Sequence, residues 1–242
     1  MQVQLFSTCL IDTFFPETGE ATVKLLSRFG VNVVYPRGQT CCGKPADSGG
    51  YTRESRKAAE HFISVFEATD GPIIIPSGSC ASMVKNHYPG LFRGDDRMRL
   101  KAEAIAGRVY ELTQFLVHVL RVHEVGLEGK GRLTYHPSCQ LTRELGVREE
   151  PLQLLHSLKG AEVIPLPNAD RCCGFGGIFS AKLPEVAACM ADEKVDNILQ
   201  TGADTVTGCD HGCLMNIAAA AKRRGSPFQV KHIASVLAEA IP

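Results

Sequence analysis

The 242-residue chain holds 26 Lys+Arg against 26 Asp+Glu, a formal net charge of zero, and is 44% hydrophobic, the make-up of an ordinary soluble globular protein. That balance excludes the basic field by which proteins hold nucleic acid or anionic membranes, and the longest apolar runs fall short of the roughly 18 residues that span a bilayer. The N-terminus, MQVQLFSTCLIDTFF, has neither the basic start nor the long apolar stretch of a secretory signal, so a cytoplasmic protein is expected.

In chain order, MQVQLF alternates polar and apolar residues and predicts a strand. Residues 17–29 put Ala21, Leu25, Leu26 and Phe29 on one helical face, with Gly30 suited to the C-terminal cap. VNVVY predicts a second strand, 51–68 a helix, and PIIIP a short buried strand of the parallel kind. A helix is expected to start near Cys80, and a longer one to run over 99–125, where Leu112, Phe115, Leu116, Val119 and Leu120 fall at helical spacing. The order then repeats: RLTY a strand, 140–158 helical, AEVIPL a strand, 182–200 a helix, DTVT a strand, 213–224 a helix, then FQVKH and a final helix. Strands alternating with helices predict an α/β fold with parallel sheets and right-handed crossovers.

Ten cysteines need a reason in a reducing compartment, where disulfides are disfavoured and clustered thiols bind metal or do redox chemistry. Cys9 and Cys139 are 130 residues apart, the pairs Cys41-Cys42 and Cys172-Cys173 are 131 apart, and Cys80 and Cys213 are 133 apart. The chain is therefore a duplication of one motif, Cys…Cys-Cys-Gly…Cys, expected to divide at 1–125 and 126–242. Every repeated cysteine follows a predicted strand, and loops after parallel strands share one edge of the sheet. Cys9, Cys41, Cys42 and Cys80 are thus expected to converge, as are Cys139, Cys172, Cys173 and Cys213. Helix N-termini at Cys80 and Cys213 would favour thiolate, and Gly43 and Gly174 would let the backbone bend. Four thiolates suit zinc or an iron–sulfur cluster. Structural zinc commonly takes close local pairs, whereas these thiols come from three loops, which points to [4Fe–4S] clusters, one or two per chain, with zinc as the alternative.

The duplicated pattern, together with CCGKPADSGGY, CCGFGGIFSAKLPE and GCLMNIAAAAKRRG, resembles the CCG-domain (cysteine-rich) iron–sulfur proteins. That family includes the cysteine-rich component of heterodisulfide reductase and the iron–sulfur component of glycolate oxidase, and the details look like its lactate-utilisation branch. The resemblance spans nearly the whole chain. It implies two similar Rossmann-like halves related by a pseudo-twofold axis, with cysteine loops at the C-terminal ends of the strands. It also implies an iron–sulfur electron-transfer component of a multi-subunit system that oxidises L-lactate to pyruvate, not active alone. Its implied partners are other lactate-utilisation subunits, including a ferredoxin-like iron–sulfur protein. Many members end each repeat in C-x₂-C, where this chain has Met83 and Asn216. Four cysteines per copy suit a cube and weaken the alternative of heterodisulfide-type thiol redox chemistry, while a zinc- or thiol-binding structural module stays open. No ferredoxin run is present, GFGG lacks the spacing of a dinucleotide fingerprint, and no arginine clamp for a carboxylate stands out. Catalytic residues are not identified.

The remaining candidates are weaker. Cys209 precedes Cys213 by four residues and is a further candidate ligand. Cys189 is expected to be a buried core thiol. His136 and His211 flank candidate ligands and are expected to make structural hydrogen bonds. KRR at 222–224 is expected to be solvated near a helix C-terminus.

Overall fold

In the computed structural model, which describes residues 1–241, eight short strands form two four-stranded, all-parallel sheets. The first contains β1 (Gln2–Leu5), β2 (Asn32–Val34), β3 (Ile73–Ile75) and β4 (Val109–Glu111), in the order β2-β1-β3-β4. The second contains β5 (Arg132–His136), β6 (Glu162–Ile164), β7 (Thr205–Gly208) and β8 (Gln229–His232), in the matching order β6-β5-β7-β8. Registers correspond as well: Gln4 pairs with Ile73 and Thr134 with Val206, Ile73 with Val109 and Val206 with Val230. The α/β class and the two similar halves expected from the duplication are present.

Local chemistry accounts for the elements. Helix Pro16–Arg28 starts with Pro at its first position, carries Glu17 in its first turn and Arg28 in its last, and buries Thr18, Thr22, Leu25 and Leu26 along one stripe. Gly30, with φ of 74°, lies just beyond its end. All three isoleucines of β3 are buried, as a strand covered on both faces requires. The sheet order matters most for function. The chain leaves β1 to one side for β2 and returns to the other side for β3, so the crevice at the carboxyl ends of β1 and β3 is a topological switch point. The second sheet has the same crevice between β5 and β7.

One apolar core serves both halves: Leu25, Leu26, Ile74 and Phe115 pack in the same cluster as Leu133, Leu141, Ile233 and Leu237. Helix Pro16–Arg28 lies against helix Ile233–Glu239, where Lys24 Nζ donates to the carbonyls of Ala238 (3.3 Å) and Ile241 (2.9 Å). A second cluster, around Phe6, Phe62, Phe66 and Tyr88, is built from buried residues of the first half, with Leu145 of the second packed against it. A third, around Val195, Ile198, Val206 and Ile217, belongs to the second.

The long helix expected over 99–125 is corrected. A helix runs Asp96–Ala106, β4 follows at Val109–Glu111, and helical turns resume at Leu112 and continue to Val119. Gly107 closes the first helix, and Glu111 caps the next turn by accepting hydrogen bonds from the Thr113 and Gln114 amides. The apolar spacing of 112–120 is real, but three residues pairing with β3 interrupt the helical stretch.

His232 caps helix Ile233–Glu239, its Nδ1 accepting from the Ala234 amide at 3.1 Å. Burial pulls its pKa down from 6.5 to about 4. The folded pKa lies below the unfolded one, so the neutral ring's contribution is intact above pH 6.5 and is lost as pH falls toward 4. Each tenfold difference in proton affinity between the folded and unfolded chain is worth about 1.4 kcal/mol. His232→Asn keeps a capping acceptor without the titration. Its melting temperature should fall less than that of the parent between pH 6.5 and 4; parallel curves would remove His232 as a source of acid sensitivity.

Candidate metal centre

The three thiol-bearing loops of the first half meet at the switch point of its sheet. Cys9 opens helix Cys9–Phe14 after β1, Cys41 and Cys42 follow β2, and Cys80 lies in the first turn of helix Gly78–Ser82 after β3. Ser77 caps that last helix, its Oγ accepting from the Cys80 amide at 3.3 Å. The four thiols are within hydrogen-bonding reach in a chain: Cys9 to Cys41, Cys41 to Cys42, Cys42 to Cys80. Hydrogen bonds from Cys42 and then Cys9, helped by the Gly43 amide at 3.4 Å, hold the pKa of the Cys41 thiol at about 3. Cys9 and Cys42 are pushed up, first by donating hydrogen bonds to Cys41, then, for Cys42, by its contact with Cys80, and in both by burial. Cys41 is thus the thiol of this quartet whose ionised form its neighbours favour most, and a bound cation would displace the remaining protons.

The second quartet is built the same way. Cys139 opens helix Cys139–Arg143 after β5, Cys172 and Cys173 follow β6, and Cys213 lies in the first turn of helix His211–Arg223 after β7. Cys172 is the lowered thiol here, through hydrogen bonds from Cys139 and then Cys173, with the Gly174 amide at 3.4 Å. Cys139 and Cys173 are raised, again chiefly by donating to it. Each Cys-Cys loop is held by its backbone: Tyr88 Oη donates to the Cys42 carbonyl at 2.8 Å, and Asn216 Nδ2 to the Cys173 carbonyl at 2.7 Å. Asn216, at the place of a missing fifth cysteine, therefore supports the loop. Met83, at the other such place, is fully buried in the first half's core. Removing the Tyr88 hydroxyl leaves a buried carbonyl unpaired. Tyr88→Phe should cost about 1–3 kcal/mol, read as a lower denaturant midpoint at unchanged slope; an unmoved midpoint would show that the bond contributes nothing.

All eight cysteines line one cavity of about 380 Å³, shared with Thr8, Lys44, Ser79, Glu144, Phe175 and Asp210 among others. Cross-half contacts hold the two quartets face to face. Asp210 caps helix His211–Arg223 through the Gly212 amide and, from the same carboxylate, accepts from the Ser79 amide at 2.7 Å beside Cys80. The Gly78 amide donates to the Cys209 carbonyl at 3.3 Å, and a Cβ at Gly78 would meet Leu141 Cβ at 2.7 Å. Thr8, directly before Cys9, is held at φ of 63°, a conformation unusual for threonine, where its counterpart Ser138 is relaxed at −65°.

The other candidates fall elsewhere. Cys209 is fully buried in the shared core with Tyr135 Oη at 3.5 Å from its sulfur, and it does not line the cavity. Cys189 is exposed, which corrects the core expectation: on helix Pro184–Thr201 the buried stripe is Ala187, Ala191, Lys194, Val195 and Ile198, and Cys189 points away from it. His211 does make a structural hydrogen bond, to Thr18 Oγ1 at 3.0 Å, between the rings of Phe15 and His232. His136 does not. Both its ring nitrogens are buried without a partner, and the ring lies with Cys173 and Cys213, their candidate ligand atoms all within 4.8 Å of one another. Burial holds its pKa at about 3, so the ring is neutral. The donor set, soft thiols from three loops gathered at helix starts, fits a metal ion or iron–sulfur group in each half.

Comparison with known proteins finds the same twofold division of the chain. The profile described as "CCG: Cysteine-rich domain" matches residues 3–85 and 133–218, one match per half. The chain is 51% identical over 237 residues to "Lactate utilization protein A" of Geobacillus sp. (strain WCH70), covering 98% of this chain and 99% of that protein. It is 49% identical over 240 residues to the protein of the same name from Exiguobacterium sp. (strain ATCC BAA-1283 / AT1b), covering 99% and 98%. Among solved structures, a hypothetical protein from Helicobacter pylori shares the fold, with a TM-score of 0.69 at 9% identity. The match covers 99% of this chain, which spans about half (49%) of that one.

Proposed function

The chain belongs to the CCG cysteine-rich family and, within it, to the lactate utilization protein A relatives, and on that premise we propose that it is an iron–sulfur electron-transfer component of a multi-subunit system oxidising L-lactate to pyruvate. One observation carries the reading: two quartets of repeated cysteines line a single cavity. Cys9, Cys41, Cys42 and Cys80 would hold one [4Fe–4S] cluster, and Cys139, Cys172, Cys173 and Cys213 a second. A cluster so held supplies one-electron transfer. The protein's own contribution is to bring the thiols of three loops to one sheet edge, with Cys9, Cys80, Cys139 and Cys213 in the first turns of helices, and to favour the ionised form of one thiol in each quartet. Among the described residues no helix is long and apolar enough to cross a membrane.

Lactate to pyruvate removes two electrons and two protons, whereas an iron–sulfur cluster passes one electron at a time. The carbon chemistry is therefore assigned to partner subunits, with a ferredoxin-like iron–sulfur protein as the electron partner and the cytoplasm as the compartment. Anaerobic purification followed by iron, sulfide and paramagnetic resonance measurement tests the reading. The loaded chain should be brown and should reduce no dye with lactate until the partner subunits are added. A colourless protein with stoichiometric zinc would overturn it in favour of a structural thiol module, and turnover by the chain alone would overturn the carrier role.

A further inference from the structure

The two quartets match in their cysteines but not in what lies behind them. Phe6 in the turn out of β1 and His136 at the end of β5 stand three residues before Cys9 and Cys139. The buried stripe Ser55, Ala59, Phe62, Ile63 and Phe66 of helix Thr52–Phe66 matches Ala187, Ala191, Lys194, Val195 and Ile198, each 132 residues on. Phe62 thus corresponds to Lys194. In the first half this pair is an aromatic contact, with ring centroids 4.8 Å apart, in the same buried cluster as Cys42. In the second half the pair is an imidazole and a fully buried lysine. Lys194 Nζ donates to the carbonyls of Asn168 (3.1 Å) and Ala169 (3.2 Å) in the loop that runs from β6 to Cys172 and Cys173, and its neighbours Ala191 and Val195 pack in one buried cluster with Cys173.

Resting on the iron–sulfur reading above, we propose that the two cluster sites are inequivalent, with the second quartet the higher-potential centre because His136 lies against its thiols and Lys194 is buried behind its Cys-Cys loop, where Phe6 and Phe62 back the first. Reduction adds a negative charge to a cluster. An ammonium nearby and an N–H free to donate to a cluster sulfur favour that charge, and an aromatic wall offers neither. The unpartnered ring of His136 is the independent sign: a buried polar group without a hydrogen bond costs stability unless a bound group completes it. His136 and Lys194 are positioning residues here, acting on the centre without joining the four thiols.

Dithionite titration of the anaerobically loaded chain, followed by paramagnetic resonance, tests this. The wild type should show two one-electron waves, and Cys42→Ser should retain only the more positive one. In that background His136→Phe should lower the reduced-to-oxidised ratio at a fixed poise at least tenfold, equivalent to about 59 mV. His136→Gln, which keeps an N–H, should preserve most of it, and Lys194→Met should move the wave in the same direction as His136→Phe. Should His136→Phe fail to fold, Lys194→Met decides alone. Coincident waves in a fully loaded wild type, a more negative wave surviving in Cys42→Ser, or a wave unmoved in the folded variants would overturn this inference while leaving the carrier role standing. A wild type that takes up no iron overturns both.

Discussion

Replacing Cys173 by Ser should remove about half of the bound iron, Cys42→Ser should remove the other half, and the double variant should hold none. Each of these thiols bridges its quartet, reaching the thiolate of its neighbour on one side and the helix cysteine on the other: Cys41 and Cys80 for Cys42, Cys172 and Cys213 for Cys173. A serine hydroxyl can still donate a hydrogen bond to the neighbouring thiolate, so the metal-free fold should be little changed, but it is a poor ligand for iron beside soft thiolates. Cys189→Ser is the control, because that thiol is exposed and has no counterpart in the duplication. Lactate-dependent electron flow in the reconstituted system should fall with the first two substitutions and not with the third. Normal iron and sulfide in Cys173→Ser would take that cysteine out of the centre.

Gly174→Ala should be the most damaging single methyl in the molecule. Gly174 has φ of 81°, and a Cβ there would meet the Ala187 carbonyl oxygen at 2.5 Å and Met190 Cβ at 3.0 Å. The backbone strain is worth about 1–2 kcal/mol, and a clash against helix backbone, which is not free to give, adds about 1–3 kcal/mol. Because the Gly174 amide is also a donor to Cys172, the strain falls on the loop that presents the second thiolate. Three variants separate the contributions. Gly30→Ala, at φ of 74° with open space, measures conformation alone; Gly43→Ala, at φ of 86° with Ala58 Cβ at 3.0 Å and the Ser55 carbonyl oxygen at 3.3 Å, adds a moderate crowding against a helix; Gly174→Ala adds the closer backbone clash. Melting temperatures should fall in that order, and the last variant should also load less iron. An equal loss in all three would show that the Ala187 contact relaxes without cost.

The sequence made the duplicated cysteines legible because thiols after parallel strands are constrained by topology: wherever the loops run, they emerge at the same sheet edge. Seven of the eight strands could be read from apolar runs between turn residues. β4 could not, since Val109–Glu111 is flanked by helical segments whose spacing continues almost in phase across it. The exposure of Cys189 was not legible because Ala187, Ala188, Cys189 and Met190 are all apolar and periodicity cannot choose a face within such a run. The cavity shared by the quartets depends on packing between halves, through Gly78, Leu141 and Asp210, which no local pattern reports. The signal for His136 and Lys194 was present but needed the two copies side by side. LFSTC against YHPSC puts an imidazole where the other copy has a phenyl ring, and Lys194 reads as a solvated helix charge until Ala191 and Val195 place it on the buried stripe.

The core that joins Leu25, Leu26 and Ile74 to Leu133, Leu141 and Ile233 has a consequence for how the protein comes apart. Neither copy of the duplicated motif can close its apolar surface by itself, so a fragment ending between them would expose a broad hydrophobic face and aggregate. The whole chain should melt cooperatively, with calorimetric and van't Hoff enthalpies in agreement. A ligand bound at one quartet then raises the free energy of opening for the other as well, because mass action on a two-state molecule does not distinguish which site was filled. An ancestral single-copy protein of this kind would have needed a second molecule of itself to bury the same face, and the fused chain makes that dimer permanent.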